Sequence, residues 1–269
     1  MVGLILMKMR SSFLLLLSWL SKASLRKPMN QNEETLDHFY HGRILVYQPR
    51  KGYRFAVDAP LLAGFIHLYP DEWACELGTG SGIISLLLSI HFFGGIVAVE
   101  IQEKLAHLAK KNVQINNLEE KIFVVCADIM NFSSRRKFEV VFSNPPYFRR
   151  GQGRMSPTRE KAIAKYEIKC DMMGIMTKTS ELLCSKGRAY FIYPVQRQEE
   201  LARALERAGL KLNRLRYVYP APNCSPRFLL TQCSFQAGEL VEEPPLFLLD
   251  EKGEITPEAE KIYGGKGND

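Results

Sequence analysis

The chain has 269 residues, of which 46% are hydrophobic, 24% charged and 10% aromatic, and it carries a formal net charge of +7. With a mean hydropathy of −0.13, this composition excludes collagen-like repetition, wholesale disorder and a multi-span membrane protein, and the length suits one large domain with or without appendages. The charge is unevenly placed: +5 over residues 1–28, −2 over 29–148, +10 over 149–237 and −6 over 238–269. A basic surplus points to a polyanionic partner only where it is concentrated.

Residues 1–28 form a leader or upstream-start extension. Lys8 and Arg10 precede the apolar run Phe13–Leu17, which is far short of the ~20 apolar residues a spanning helix needs. Three readings stand: a dispensable segment with Met29 as the initiator, a weak amphipathic helix, and an export signal. Residues 29–70 lead into the first strand. From Asp71, apolar runs alternate with amphipathic stretches, the pattern of β-α units on a parallel sheet. Strands are expected at Trp73–Leu77, Gly95–Glu100, Ile122–Cys126, Phe138–Ser143 and Gly187–Tyr193, with an antiparallel pair at Leu212–Tyr219 and Arg227–Phe235. Helices are expected at Ile83–Ile90, Glu103–Asn117, Tyr166–Cys184 and Glu199–Ala208. One α/β domain thus spans residues 71–237, and residues 238–269 read as a loosely held acidic tail. The six cysteines show neither a C-x-x-C pair nor zinc spacing with histidine, so no metal is expected. Cys75 and Cys126 read as small core hydrophobes, and a reducing, cytoplasmic setting follows by default.

Chemistry concentrates at strand ends. Glu76-Leu77-Gly78-Thr79-Gly80-Ser81-Gly82 follows a strand and opens a helix, where glycines admit a ligand close to the backbone. A dinucleotide fingerprint needs a third glycine where Ile83 stands, so that reading fails. The G-x-G-x-G turn behind Glu76 resembles the first motif of class I S-adenosylmethionine-dependent methyltransferases. Glu100 ends the second strand and suits the ribose hydroxyls of a nucleoside. Asp128 follows the third strand and suits an adenine amino group. Each acid alone is better read as a solvated strand end; three aligned at one sheet edge point to a ligand, since that edge is where open α/β sheets bind.

The fourth strand runs into Asn144-Pro145-Pro146-Tyr147-Phe148. Two prolines fix φ in succession and remove two N–H donors, leaving a rigid turn that presents acceptors. The Asn144 side-chain oxygen and the Pro145 carbonyl could each accept an N–H from an exocyclic amino group. That would draw the nitrogen from planarity and aim its lone pair at a methyl donor. Tyr147 and Phe148 offer a face on which to stack an unpaired base.

Together these residues resemble the amino-methyltransferases with the N-P-P-Y motif. Glu34-Thr35-Leu36-Asp37, the run Gly52-Tyr53-Arg54-Phe55-Ala56-Val57-Asp58-Ala59-Pro60, the glycine turn and N-P-P-Y-F narrow the likeness to the bacterial tRNA1(Val) adenine-N6-methyltransferase family. The resemblance runs from about residue 33 to residue 238. It implies a class I methyltransferase Rossmann-like fold, with a seven-stranded, mostly parallel sheet, helices on both faces and an antiparallel strand at one edge. It also implies S-adenosylmethionine as cofactor and the adenine at position 37 of the tRNA anticodon loop as target. Catalysis then falls to Asn144, Pro145, Pro146 and Tyr147, and cofactor binding to Glu76, Gly78, Gly80, Gly82, Glu100 and Asp128. By the same resemblance Arg54 and Asp58 lie over the methionine end of the cofactor; the residues alone equally fit Asp58 as the N-terminal cap of a helix. Beyond the turn, residues 149–169 carry +5, and Phe148, Arg149, Arg150, Arg154, Arg159, Lys161 and Lys165 are the candidate RNA contacts. A solvated loop is the plain alternative for that charge run. Glutamine N5-methylation of release factors and guanine-N2 methylation of RNA share the turn chemistry. A catalytically silent nucleic-acid-binding module is a third class of reading, opposed by the intact strand-end residues. No stable membrane association is expected.

Overall fold

The computed structural model describes residues 34–50, 57–91, 93–145 and 171–264. The N-terminal extension, Arg54 and the stretch from Pro146 to Lys165 lie outside the described residues. In chain order the elements are a hairpin, β1 (Glu34–Phe39) and β2 (Ile44–Pro49), then α1 (Asp58–Phe65), β3 (Trp73–Leu77) and α2 (Ile83–Leu88). β4 (Gly95–Glu100), α3 (Glu103–Ile115), β5 (Ile122–Cys126) and β6 (Phe138–Ser143) follow. The second half comprises α4 (Met172–Leu182), β7 (Leu183–Pro194), α5 (Gln198–Arg207), β8 (Lys211–Tyr219) and β9 (Phe228–Ser234). The chain closes with β10 (Val241–Glu242), β11 (Leu246–Phe247) and α6 (Pro257–Ile262). Among the described residues no helix is long and apolar enough to cross a membrane.

The main sheet runs β5-β4-β3-β6-β7-β9-β8. All neighbours from β5 to β7 pair in parallel, whereas β9 is antiparallel to both β7 and β8. The expected antiparallel pair is therefore present, and the reversed strand stands one position in from the edge. Two short strands, β10 and β11, pair in parallel with the outer side of β8 and raise the sheet to nine strands. The central strands are buried on both faces, as parallel strands under helices must be. Their side chains alternate between two cores. Ile96, Ala98, Val140, Phe142, Tyr190 and Ile192 face α1 and α2, while Val97, Val99, Phe138, Val141, Ala189 and Phe191 face α4 and α5.

Three sequence expectations differ from the structure. Residues 29–70 were expected to hold no strand, yet β1 and β2 form a hairpin with Leu36 opposite Tyr47. Cys126 is exposed, unlike the fully buried Cys75, because it ends β5, the strand at the uncovered edge of the sheet. The acidic tail is not loose. Leu246 and Ala259 are almost fully buried. Its carboxylates pair with the arginines of β8: Arg214 Nε lies 2.8 Å from Glu243 and Arg216 grips Glu258 through both terminal nitrogens at 2.7 and 2.9 Å.

Candidate active site

The strand order places the site. β3 has β4 on one side and β6 on the other, so consecutive crossovers leave β3 in opposite directions and open a crevice at its carboxyl end. Gly78, Glu100, Asp128 and Asn144 stand at or just past the carboxyl ends of β3, β4, β5 and β6. Two of these ends are stitched together: the Ser143 hydroxyl donates to the Leu77 carbonyl at 2.6 Å. That bond sets Asn144 beside Gly78. Asn144 is half-buried and Pro145 buried.

The glycine turn is shaped by positive φ at Gly78, Gly80 and Gly82 (79°, 60° and 87°), a region that costs other residues about 1–2 kcal/mol. At Gly82 a Cβ would also meet the Ala109 methyl at 3.4 Å. The turn's amides are taken up inside the protein. Gly78 and Thr79 donate to the Val99 carbonyl at 2.9 and 3.0 Å and Gly82 to the Thr79 carbonyl at 3.0 Å, while Gly80 donates to Glu100 at 2.9 Å. A pyrophosphate cradle needs several free amides aimed at the ligand. This turn instead offers close backbone approach and carboxylates, which suits a nucleoside bearing hydroxyl and amino groups. The Ser81 hydroxyl is buried and has no hydrogen-bond partner among the described residues, so a ligand polar atom there would satisfy it.

The acids divide by role. Glu76 is nearly fully buried and accepts from the Thr79 hydroxyl at 2.6 Å and from the Ser85 hydroxyl. It staples the end of β3 to the turn and to α2. Burial pushes its carboxyl up to about 7, opposed by the two hydroxyl bonds and assisted by nearby Glu100. Glu100 accepts from Gly80 N–H and, through its other oxygen, from Gln102 N–H at 2.8 Å. Burial raises its pKa while those amides lower it. A carboxylate has about four lone-pair sites, so Glu100, on which the amides of Gly80, Ile101 and Gln102 act, retains acceptor capacity for a ribose hydroxyl. Asp128 is half-buried and accepts from Met130 N–H at 3.0 Å, capping a short turn over Ile129–Asn131. Ile129 lies against Gly78, an apolar neighbour for a flat base.

Asp58 is the first residue of α1, is buried and accepts from Ala59 N–H at 3.0 Å; the cap position itself is Val57, which makes no side-chain cap bond, so Asp58 is not the N-terminal cap. It also faces Tyr263 of the C-terminal segment. That phenol donates to the Val57 carbonyl at 3.3 Å, and burial together with the Asp58 charge pushes it up to about 12. Sequence reading overlooked Ser81 as a site residue in its own right, and it overlooked Asn112 on α3. The signal for Asn112 was a polar residue on the apolar face of a helix, four residues after Leu108 and beside Val113. Its partner strand lies 65 residues away in the chain, and no local pattern reports that.

Residues 60–169 match the methyltransferase small domain family. The tRNA1(Val) (adenine(37)-N6)-methyltransferase of Phocaeicola vulgatus is 27% identical over 76% of this chain and 86% of its own. A protein of the same description from a Flavobacteriaceae bacterium is 26% identical over 84% of this chain and 92% of its own. Among solved structures, an Agrobacterium tumefaciens protein described as a predicted O-methyltransferase superposes with a TM-score of 0.58 at 18% identity, covering 77% of this chain and 95% of its own. That last likeness speaks to fold. The chain has the class I methyltransferase fold, matches the methyltransferase small domain over residues 60–169, and over about three quarters of its length is similar to the tRNA1(Val) (adenine(37)-N6)-methyltransferases.

Proposed function

We propose that the protein transfers the methyl group of S-adenosylmethionine to N6 of an adenine in tRNA, at the anticodon-loop position 37 named for its relatives. The observation that carries this reading is the hydrogen bond from Ser143 to Leu77. It fixes the acceptor-rich Asn144-Pro145 turn against a glycine turn whose close backbone approach and neighbouring carboxylates suit a nucleoside. S-adenosylmethionine supplies an electrophilic methyl on a sulfonium. The protein's part is to hold the partners and shape the nucleophile.

Gly78 and Gly80 allow close approach, Glu100 accepts a ribose hydroxyl, and Asp128 accepts the adenine amino group of the cofactor. Asn144 and the Pro145 carbonyl accept the two N–H groups of the target amine. That draws its nitrogen from planarity and aims the lone pair along the line of transfer. N6 gains the methyl, the sulfur keeps the bonding electrons, and the proton leaves to solvent from the cationic product amine, so no strong general base is required. Tyr147 and Phe148 stack the extruded base, and Arg149, Arg150, Arg154, Arg159, Lys161 and Lys165 hold the RNA phosphates in this reading. Its setting is the cytoplasm.

Transfer of radiolabelled methyl to bulk tRNA lacking the modification tests the proposal. Label is expected in RNA with the wild-type protein and is expected to fall by at least 100-fold in Asn144→Ala, the order of effect of removing an electrostatic stabiliser. Label in a release factor and none in RNA would replace this reading with glutamine N5-methylation.

A further inference from the structure

Asn112 is fully buried in the middle of α3. An amide at such a position is costly unless its donors and acceptor are all engaged. Here they are. Its Oδ1 accepts from Tyr47 N–H at 2.7 Å, and its Nδ2 donates to the Tyr47 carbonyl at 3.0 Å and to the Ser81 carbonyl at 2.9 Å. One turn later Asn116 treats Leu45 in the same way: Oδ1 accepts from Leu45 N–H at 2.9 Å and Nδ2 donates to the Leu45 carbonyl at 2.7 Å. The periods match. Alternate residues of a strand are about 6.6–6.8 Å apart, and residues four apart on a helix rise about 6 Å. The two asparagines therefore stand in for a neighbouring strand along the outer edge of β2. The bidentate grip on Tyr47 also fixes which way the Asn112 amide points, because reversal would set donor against donor.

The two clasps differ in one respect. Asn112 alone reaches the glycine turn, at Ser81, between Gly80 and Gly82. We infer that Asn112 is a positioning residue for the cofactor turn, locking the Ser81 peptide to the N-terminal hairpin through Tyr47, whereas Asn116 bonds the hairpin and, at 2.6 Å, the Asn112 carbonyl, with no bond to the turn among the described residues. This rests on reading the turn as the S-adenosylmethionine cradle. Tyr47 is held by a second residue of the same helix, since Lys111 lies over its ring at 3.6 Å and pairs with Glu34 of β1. A loosened turn would lose its fit to the cofactor even though Gly80 and Glu100 remain.

Full-length wild type, Asn112→Ala, Asn112→Asp and Asn116→Ala are compared by calorimetric titration with S-adenosylhomocysteine, by tRNA binding and by thermal melting. Asn112→Ala is expected to weaken S-adenosylhomocysteine at least tenfold and to raise KM for S-adenosylmethionine with little change in kcat. Asn112→Asp keeps size and the acceptor for Tyr47 N–H but presents a carboxylate to two carbonyls, and it is expected to weaken the ligand as much. Asn116→Ala is expected to lower the melting temperature comparably and leave ligand affinity within twofold. Equal ligand weakening in Asn112→Ala and Asn116→Ala, or unchanged affinity in both Asn112 variants, would overturn the inference. Wild-type protein that binds no S-adenosylhomocysteine would instead remove the cofactor reading on which it rests.

Discussion

Glu76 and Glu100 show how two carboxylates of one motif come to serve different ends. Glu100 ends its strand with both oxygens on backbone amides. Glu76 lies one strand over, takes two hydroxyls on a single oxygen and is nearly sealed from solvent. With its carboxyl pushed from 4.5 up to about 7 by burial, Glu76 keeps a proton that the unfolded chain has already released. Its neutral form therefore stabilises the fold fully below about pH 4.5, and that contribution is lost as pH rises through about 7. The slope it adds approaches on the order of 1 kcal/mol per pH unit within that window. Glu76→Gln preserves an acceptor oxygen for both hydroxyls, so it is expected to fold and to flatten the pH dependence of denaturant stability between pH 5 and 7. A slope identical to wild type would show that Glu76 is ionised in the folded state. Sequence marked Glu76 as a cofactor ligand because its position before the turn is visible there. That Thr79 and Ser85 would be its hydrogen-bond partners depends on a helix folding back over the strand end.

At the scale of elements, the parallel strands were legible because double-sided burial forces near-continuous apolar runs. Ile96–Val99 and Val140–Phe142 are the clearest cases, and the structure places both where expected. The hairpin was not legible, since Glu34-Thr35-Leu36-Asp37-His38-Phe39 alternates weakly and its stability comes from α3 through Asn112 and Asn116. The last segment was hidden for another reason. β10 and β11 have two residues each and α6 has six, too short for any period to register, and acidic composition then reads as solvated. What holds the segment is burial of Leu246 against the main core, with the exposed Arg216–Glu258 pair as an addition. Leu246→Ala is expected to cost about 2–4 kcal/mol in chemical denaturation, the usual range for a buried leucine. Glu258→Ala is expected to cost at most about 1 kcal/mol, because its side chain is 53% exposed and such pairs are screened. The reverse order would mean that charge, not burial, fastens the segment.

For the molecule as a whole, the net charge changes meaning once ion pairs are placed. Residues 149–237 carry +10, yet Arg188 pairs with Glu72, Arg214 with Glu243 and Arg216 with both Glu243 and Glu258, all carboxylates from outside that stretch. The acidic last segment neutralises part of the basic region through the strand it packs on. The charge left to meet a polyanion rests more heavily on residues 149–169, which follow directly after the Asn144-Pro145 turn in the chain. The same economy of placement governs the site, where four strand ends meet at one sheet edge and a single hydroxyl, Ser143, joins the acceptor turn to the glycine turn. The central claim is that this edge methylates an adenine amino group in RNA. Nucleoside mass spectrometry of tRNA incubated with the protein and S-adenosylmethionine tests it most directly: the account predicts N6-methyladenosine with wild type and none with Asn144→Ala, whereas N2-methylguanosine, or unmodified tRNA with both proteins, would contradict it.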